Sequence, residues 1–341
     1  MTKKIYLTGI TTTGTPHLGN YVGAIKPAIE ASKNADNQCF YFLANYHALI
    51  KCQDADLVRQ SCLEIAATWL ALGLDTDQST FYRQSDIPEI QELNWILNCV
   101  AAKGLLNRAH AYKAVVADNE QSGSKDPDKG ISMGLFGYPV LMAADILMFN
   151  ADKVPVGKDQ IQHIEMTRDI AARFNHIYSE KLTLPEAVVD SSVALLSGLD
   201  GRKMSKSYNN TIPLFVPEKK LRKLVMKIKT NSLEPGEPKD PDGCTLFQIY
   251  AAFADQASTA DIRQSYADGI AWGEMKQTLF ELLNEQLVEP REKYLELMGQ
   301  AALIEDIVQA GAAKARAKAV PFLQELREAV GISNFTTPRP R

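Results

Sequence analysis

Short apolar runs alternate with amphipathic helical patterns along the first half of the chain. The apolar runs predict strands at residues 5–7, 38–44, 81–84, 154–156 and 193–196. The helical patterns cover residues 21–31, 54–72, 88–113 and 138–149, and another follows residue 160. Strands that alternate with helices in this way are typical of a parallel sheet with helices on both faces. The chain is therefore predicted to be an α/β protein.

Beyond residue 210 the pattern changes from strands to helices, which fill most of residues 245–330. We therefore expect two domains: a Rossmann-like nucleotide-binding domain over 1–210, with a helical insertion around 88–135, and a helical domain over 211–335. The insertion carries more apolar surface than its own fold requires, which favours a dimer contact. Six cations between residues 217 and 229, and three more at Lys314, Arg316 and Lys318, are candidates for contact with RNA phosphates. Such charged faces are more often merely solvated.

Composition narrows the class of protein without identifying it. The 341 residues carry a net charge of −4, so contact with nucleic acid would need a local basic patch. Five cysteines without a C-x-x-C pair argue against a disulfide framework or a zinc site, and no metal site is predicted. No signal peptide or membrane span is recognisable, and the expected location is the cytoplasm.

A cationic loop at residues 201–207 is the first candidate for chemistry. Three cations and two hydroxyls follow the flexible Gly201: Arg202, Lys203, Ser205, Lys206 and Ser207. Ammonium groups, hydroxyls and free loop N–H groups suit the oxygens of a triphosphate. Taken alone, the loop is more simply interpreted as a solvated basic turn.

A glycine-rich turn at residues 9–20 lies between the first strand and the first helix, where free N–H groups and the helix dipole favour an anion. The Walker A lysine and the G-x-G-x-x-G pattern are both absent. The turn instead offers His17 and Asn20, one helical turn apart, as phosphate contacts. Simple capping of the helix by these two residues is the alternative.

Residues 138–149 and 154–163 supply the second group of candidates. Tyr138, Met142 and Asp145 fall on one helical face, with Pro139 expected in the first turn. A carboxylate in so apolar a run needs a donor, from either a ligand or a neighbouring group. Farther on, Gly157 permits close approach of a ligand, and Asp159 and Gln160 open the next helix, where Asp159 could also act as an ordinary cap.

Together these motifs resemble the class I aminoacyl-tRNA synthetases. Residues 17–20 stand in place of that family's His-Ile-Gly-His signature, and residues 203–207 match Lys-Met-Ser-Lys-Ser at every position. The short separation between the two motifs suits the tyrosine/tryptophan branch. Within it, residues 138–145, 154–175 and 311–315 resemble the tryptophanyl enzymes.

The resemblance implies a two-step reaction on ATP with Mg²⁺, L-tryptophan and tRNA(Trp), carried out by a homodimer without a tightly bound cofactor. His17, Asn20, Lys203 and Lys206 are its implied catalytic residues. ATP would be bound by the two motifs, the first turn and two strand ends: Thr11, Thr12, Thr13, Gly19, Asn20, Gly157, Lys158, Asp159, Ala194, Lys203, Met204, Ser205, Lys206 and Ser207. Tryptophan would be bound by Asp145, which accepts the indole N–H, and by Tyr138, Met142, Gln160, His47, Val154 and Val156.

The chain departs from bacterial relatives at three places. Thr11-Thr12-Thr13 stands where Gln-Pro-Ser is usual, Leu7 where Phe is usual, and Val115 where a second lysine is frequent. These changes predict a nucleotide pocket with altered affinity or inhibitor response. Three alternatives remain: a tyrosyl-tRNA synthetase, a synthetase-like regulatory protein that charges no tRNA, and a small-molecule adenylyltransferase.

Overall fold

The computed structural model describes residues 3–189 and 196–335, and five parallel strands form its centre. In spatial order the strands are β3-β2-β1-β4-β5. They span Lys4–Thr11 (β1), Asn37–Ala44 (β2), Ser79–Arg83 (β3), Lys153–Pro155 (β4) and Glu186–Val188 (β5). The order reverses between β1 and β4, and ligands of open α/β sheets bind beyond the carboxyl ends of the strands at such a point. The prediction of an α/β fold with a parallel sheet is confirmed.

Among the residues that the structure describes, nine helices belong to the sheet-forming part of the chain. Their bounds are Leu18–Asn20 (α1), Lys26–Ser32 (α2), Asn45–Ala48 (α3), Ala55–Ala71 (α4), Pro88–Asn98 (α5), Lys103–Leu106 (α6), His110–Gln121 (α7), Met133–Leu147 (α8) and Ile161–Ile177 (α9). A π-helical segment, Tyr21–Ile25, joins α1 to α2. Five further helices follow the cationic loop: Glu218–Met226 (α10), Thr245–Phe253 (α11), Gln256–Ala267 (α12), Trp272–Met298 (α13) and Ala301–Val330 (α14).

Element boundaries differ from the predicted ones at several places. β1 continues to Thr11 because parallel pairing with β2 extends to Ala44. Gln84 leaves the strand and begins a 3-10 turn, Gln84–Asp86. α7 reaches Gln121, so the segment expected to be turn-rich from residue 118 starts as helix.

The prediction that Pro139 lies in a first helical turn is wrong. α8 already begins at Met133, because the hydroxyl of Ser132 accepts the N–H of Leu135 and caps the helix there. Pro139 therefore lies inside the helix, where it cannot donate to the carbonyl of Leu135. The predicted strand at 193–196 lies outside the described residues except for Leu196.

The apolar core lies on both faces of the sheet, as the alternation along β2 requires. Phe40 and Phe42 pack in one cluster with α5, α8 and α9. Cys39, Tyr41 and Leu43 face the other way, toward α2 and α4. A third cluster joins α1 to α10, α11 and α13. Both faces of the sheet are thus covered, which leaves the strand ends for a ligand site.

The long helix α14 passes the edge strand β3 and contributes to both cores. Ile304 and Val308 pack on one face of the sheet, and Ala315 and Ala319 pack on the other. The crossing occurs at Gly311, where a Cβ atom would lie 1.7 Å from the carbonyl oxygen of Phe81. The absence of a side chain there lets the helix seat against the strand that ends at the candidate site.

Among residues 3–189 and 196–335, no helix is both long enough and apolar enough to cross a bilayer.

We expect Gly311→Ala to lower the free energy of unfolding by more than about 2 kcal/mol, since the methyl group forces α14 away from β3. Urea unfolding followed by circular dichroism measures the change. Gly273→Ala is the matched control: this glycine is also helical, and an added Cβ there meets nothing within 4 Å. The control should be neutral or slightly stabilising, and equal losses for both variants would contradict the close approach at Gly311.

Candidate active site

A buried carboxylate lies at the carboxyl edge of the sheet. Asp145 of α8 is 1% exposed, and its oxygens accept hydrogen bonds from His47 Nε2 at 2.9 Å and from Gln84 Nε2 at 2.8 and 3.0 Å. His47 follows β2, and Gln84 follows β3. Burial raises the pKa of Asp145, and the bonds from His47 and Gln84 act against that rise. Asp145 thus faces inward, held by donors from two neighbouring strand ends.

Residues predicted to surround Asp145 lie on the same side of the sheet. Tyr138 and Met142 precede it on one face of α8, and the Tyr138 ring meets the His47 ring edge-on at 6.4 Å between centroids. Val154 is buried, and Met142 and Val156 pack against the same core while remaining partly exposed. An apolar wall with one acidic group suits a flat aromatic ligand that carries a single N–H or O–H donor.

Tyr138 begins a chain of hydrogen bonds that runs to the start of α9. Its hydroxyl lies 2.6 Å from His163 Nε2, and His163 Nδ1 lies 3.0 Å from Gln160 Oε1. Gln160 Nε2 lies 3.4 Å from a carboxylate oxygen of Asp159. The predicted ligands Tyr138 and Gln160 are therefore linked through His163.

Sequence reasoning assigned no role to Gln84 or His163. Gln84 was assigned to the end of a strand, yet the residue just after a parallel strand reaches the edge where His47 was already expected. His163 lies three residues after Gln160, and this spacing on a helix could have drawn attention to it.

The glycine-rich turn at residues 9–20 and the cationic loop at residues 201–207 meet, although they are far apart in sequence. Lys206 Nζ donates to the carbonyl oxygens of Thr13 at 2.6 Å and Gly14 at 2.7 Å. The turn is shaped by Gly14, which has a φ of +82° and whose N–H donates to Ser61 Oγ at 2.7 Å. Thr12 is fully buried, and its hydroxyl has no partner. The lysine loop therefore closes over the turn that follows β1.

His17 and Asn20 form a reciprocal cap at the start of α1. The N–H of Asn20 donates to His17 Nδ1 at 3.3 Å, and the N–H of His17 donates to Asn20 Oδ1 at 3.1 Å. A Cβ atom at Gly19 would lie 3.1 Å from the His17 ring, so the glycine makes room for that ring. Burial, followed by the charge of Lys206, lowers the pKa of His17 to about 4. The capping interpretation holds, and it leaves a neutral imidazole beside the lysine.

Asn210 holds the base of the cationic loop. Its side chain accepts the N–H of Ser205 at 2.8 Å and donates to Asp200 at 2.7 Å and to the carbonyl of Lys203 at 3.1 Å. Met204 is buried in the third core cluster. Lys203 and Lys206 are both exposed along their side chains, and desolvation of the Lys206 ammonium group against the glycine-rich turn lowers its pKa to about 8. The loop is thus anchored at its base and presents Lys206 toward the glycine-rich turn.

The remaining predicted nucleotide contacts lie in two places, just after β4 and in the cationic loop. A Cβ atom at Gly157 would lie 2.7 Å from Asp159 Oδ1, and both Lys158 and Asp159 are exposed. The hydroxyls of Ser205 and Ser207 are 2.8 Å apart at the loop tip. Ala194 lies outside the described residues. Within the described part of the chain, no group of three or more His, Cys, Asp or Glu side chains could hold a metal ion.

Comparison with known proteins identifies the class. The family model described as tRNA synthetases class I (W and Y) matches residues 2–288. The chain belongs to this family.

Individual relatives fall on the tryptophan side of that family. The chain is 62% identical to the Tryptophan–tRNA ligase of Pseudomonas aeruginosa, over 99% of this chain and 76% of the relative. It is 60% identical to the Tryptophan–tRNA ligase of Neisseria meningitidis, over 97% of this chain and 99% of that protein. The crystal structure of tryptophanyl-tRNA synthetase from Campylobacter jejuni, complexed with ADP and tryptophan, superposes with a TM-score of 0.84 at 44% identity, covering 96% of this chain and 99% of that one.

The lowered pKa of His17 predicts a proton-linked loss of stability. The unfolded chain takes up the proton near the ordinary value of 6.5, whereas the folded chain resists it until about pH 4. The contribution of a neutral His17 is therefore complete above pH 6.5 and is lost as the pH falls toward 4. His17→Asn keeps a capping side chain but removes the titration.

We expect the free energy of unfolding of His17→Asn to fall less steeply than that of the wild type between about pH 6.5 and 5. Urea unfolding at several pH values gives the slopes. His176→Asn, an exposed histidine on α9, is the matched control and should keep the wild-type slope. A wild-type slope in His17→Asn as well would contradict a depressed pKa at this site.

Proposed function

We propose that the chain is an ATP-dependent tryptophan–tRNA ligase. The observation that carries the proposal is a buried carboxylate, Asp145, next to an apolar wall and at the same edge of the sheet as the glycine-rich turn that Lys206 covers. The relatives that share most of its sequence carry this name. The first reaction makes tryptophanyl-adenylate and pyrophosphate from L-tryptophan and ATP, and the second moves the acyl group to the 3′ end of tRNA(Trp).

In the proposed tryptophan pocket, Asp145 accepts the indole N–H. A carboxylate has about four acceptor positions, so the bonds from His47 and Gln84 leave capacity for a third donor. Met142, Val154 and Val156 wall the ring, while Tyr138 and Gln160 take the α-amino group.

The proposed nucleotide site lies between the first turn and the cationic loop. His17 and Asn20 contact the phosphates of ATP, and Lys203 and Lys206 stabilise the leaving pyrophosphate. Residues 11–13, 157–159 and 204–207, together with Gly19, line the nucleotide. Mg²⁺ enters as part of the MgATP substrate.

The chemistry of the first step asks the protein for positioning and charge stabilisation more than for a covalent catalyst. The tryptophan carboxylate attacks the α-phosphorus, and negative charge grows on the departing pyrophosphate. Lys206 must exchange the carbonyls of Thr13 and Gly14 for these phosphate oxygens, a change favoured because an anion is the stronger acceptor. Phosphates also raise the affinity of Lys206 for its proton and so keep it cationic.

Tryptophan-dependent exchange of pyrophosphate into ATP tests the proposal. We expect exchange with L-tryptophan and at most about 10⁻⁴ of that rate with L-tyrosine at equal concentration, because the site is built around one acceptor at a fixed depth. Asp145→Ala should cost about 2–4 kcal/mol in kcat/KM for tryptophan, since the ring N–H and the donors of Gln84 and His47 are left unpaired.

Asp36→Ala, which removes an exposed carboxylate, is the control and should leave exchange unchanged. Exchange that depends on tyrosine would move the proposal to the other branch of the family. Exchange with neither amino acid would overturn it.

We further propose that residues 1–210, with the insertion around 88–135, form the catalytic domain and that residues 211–335 bind tRNA, including the anticodon. Support comes from α10 and the residues after it, where six cations are all exposed: Lys219, Lys220, Arg222, Lys223, Lys227 and Lys229. The segment is tied to the cationic loop, since the N–H of Lys229 donates to the carbonyl of Leu199 at 2.9 Å. A dense basic face in a chain of net charge −4 suits a phosphate backbone.

The second basic segment offers less to RNA. Lys314 donates to the carbonyl of Thr76 at 2.7 Å, and Arg316 forms an ion pair with Glu89 at 2.8 Å. Lys318 lies 5.6 Å from the centroid of the Phe40 ring, where burial lowers its pKa. These cations help to hold α14 against the sheet-forming part of the chain. α10 is therefore the better candidate surface for tRNA.

Reversing charge on α10 should weaken tRNA binding without affecting amino-acid activation. We expect Lys219→Glu with Lys223→Glu to raise the KM for tRNA by about tenfold or more and to reduce the slope of log affinity against log salt by about 2. Lys293→Glu on α13 is the control, since this lysine is also exposed. Unchanged aminoacylation with the double variant would place the tRNA elsewhere.

A homodimer in the cytoplasm completes the proposal. Two large apolar side chains in and beside the insertion are largely exposed, Trp95 by 70% and Met133 by 78%. Exposed apolar groups of this size favour a protein contact. All five cysteines are free thiols, which suits a reducing compartment.

A further inference from the structure

His163 is buried between two residues that the proposed function places on the α-amino group, yet it faces no substrate itself. It is 3% exposed, and both ring nitrogens are engaged, Nε2 with the Tyr138 hydroxyl at 2.6 Å and Nδ1 with Gln160 Oε1 at 3.0 Å. The Tyr138 hydroxyl has both donor and acceptor capacity, so its usefulness to a cation depends on which way its hydrogen points.

The direction of each hydrogen bond in this series follows from its last member, Asp159. The carboxylate of Asp159 can only accept, so the nearby Gln160 Nε2 at 3.4 Å is the donor and Oε1 is turned toward His163. That carbonyl oxygen can only accept, so His163 Nδ1 carries the hydrogen. A neutral imidazole has one N–H, and Nε2 is therefore the acceptor for the Tyr138 hydroxyl.

We propose that His163 is a positioning residue whose neutral Nδ1–H form fixes the Tyr138 oxygen as an acceptor for the α-ammonium group of the amino acid. This inference rests on the proposed function. Every donor in the chain points away from the pocket, toward the negative charge of Asp159. Aligned hydrogen bonds polarise one another, so the carboxylate makes the Tyr138 oxygen a better acceptor without touching the substrate.

The neutral form of His163 is favoured by its surroundings. Burial lowers the pKa of His163, the nearby His110 and His47 lower it further, and Asp159 opposes them. The Tyr138 ring faces it at 5.2 Å between centroids. Protonation would place a hydrogen on Nε2, turn the Tyr138 O–H into the pocket, and set a donor against the ammonium group. Recognition of the amino group is therefore linked to the protonation of His163.

Two ligands separate this role from a structural one. L-tryptophan carries the ammonium group, and indole-3-propionate lacks it while keeping the ring and the carboxylate. Dissociation constants are measured by calorimetry on the full chain, and circular dichroism confirms that each variant is folded. We expect His163→Phe to raise the dissociation constant of L-tryptophan by about 10- to 30-fold and that of indole-3-propionate by less than about threefold. His176→Phe, the same replacement at an exposed site on α9, should weaken neither ligand.

His163→Gln provides the second arm. Its amide oxygen can accept the Tyr138 hydroxyl but does not titrate. We expect it to retain tryptophan affinity within about threefold and to lose the fall in affinity that the wild type shows as the pH drops below about 6.5, the ordinary histidine value from which the pKa of His163 is lowered.

Equal weakening of both ligands by His163→Phe, or unchanged pH dependence in His163→Gln, would overturn the inference. Failure of the proposed function is distinguishable, because the wild type would then bind no tryptophan and catalyse no exchange.

Discussion

The need to satisfy the buried charge of Asp145 organises the centre of the molecule. A carboxylate removed from water costs several kcal/mol unless hydrogen-bond donors replace the water. Here the donors are side chains that follow β2 and β3, while the carboxylate comes from α8. The bonds tie three elements together at one point. In the proposed function the same point is the floor of the tryptophan pocket, so the requirement of the fold and the requirement of ligand selection meet in one side chain.

A second charge, on Lys206, closes the other end of the cleft in a comparable way. Its ammonium group binds two carbonyl oxygens of the first turn, and a pKa lowered to about 8 reflects its burial there. The two charges differ in how they are held. Asp145 lies on a helix packed in the main core, whereas Lys206 lies on a loop anchored through Asn210. In the proposed function, the site anchored in the core selects the amino acid, and the loop site exchanges partners during the reaction.

Features that depend on neighbouring residues could be predicted from the sequence, whereas features that depend on distant contacts could not. Helical periodicity placed Tyr138, Met142 and Asp145 on one face, and strand ends placed His47 near them, because these are local rules. Gln84 was missed because strand propensity continues one residue past the point where pairing ends. Pro139 was misplaced because proline prefers the first turn of a helix, and that preference hid the weaker capping signal of Ser132 in the sequence.

Other features follow only from tertiary contact. Gly311 lies in a helix that alone would favour alanine, and its necessity comes from the carbonyl of Phe81, 230 residues earlier in the chain. The cations of α14 match an RNA contact in sequence, yet in the structure Arg316 pairs with Glu89 of α5 and Lys314 donates to the carbonyl of Thr76. The contact between Lys206 and the first turn could be inferred only from the family resemblance of two motifs.

A crystal structure of the chain with L-tryptophan bound tests the central claim most directly. The account predicts the indole nitrogen within about 3.2 Å of an Asp145 carboxylate oxygen, with the His47 and Gln84 bonds to that carboxylate retained. An indole nitrogen that pairs with another group, or an Asp145 that leaves its two donors when the ligand binds, would contradict it.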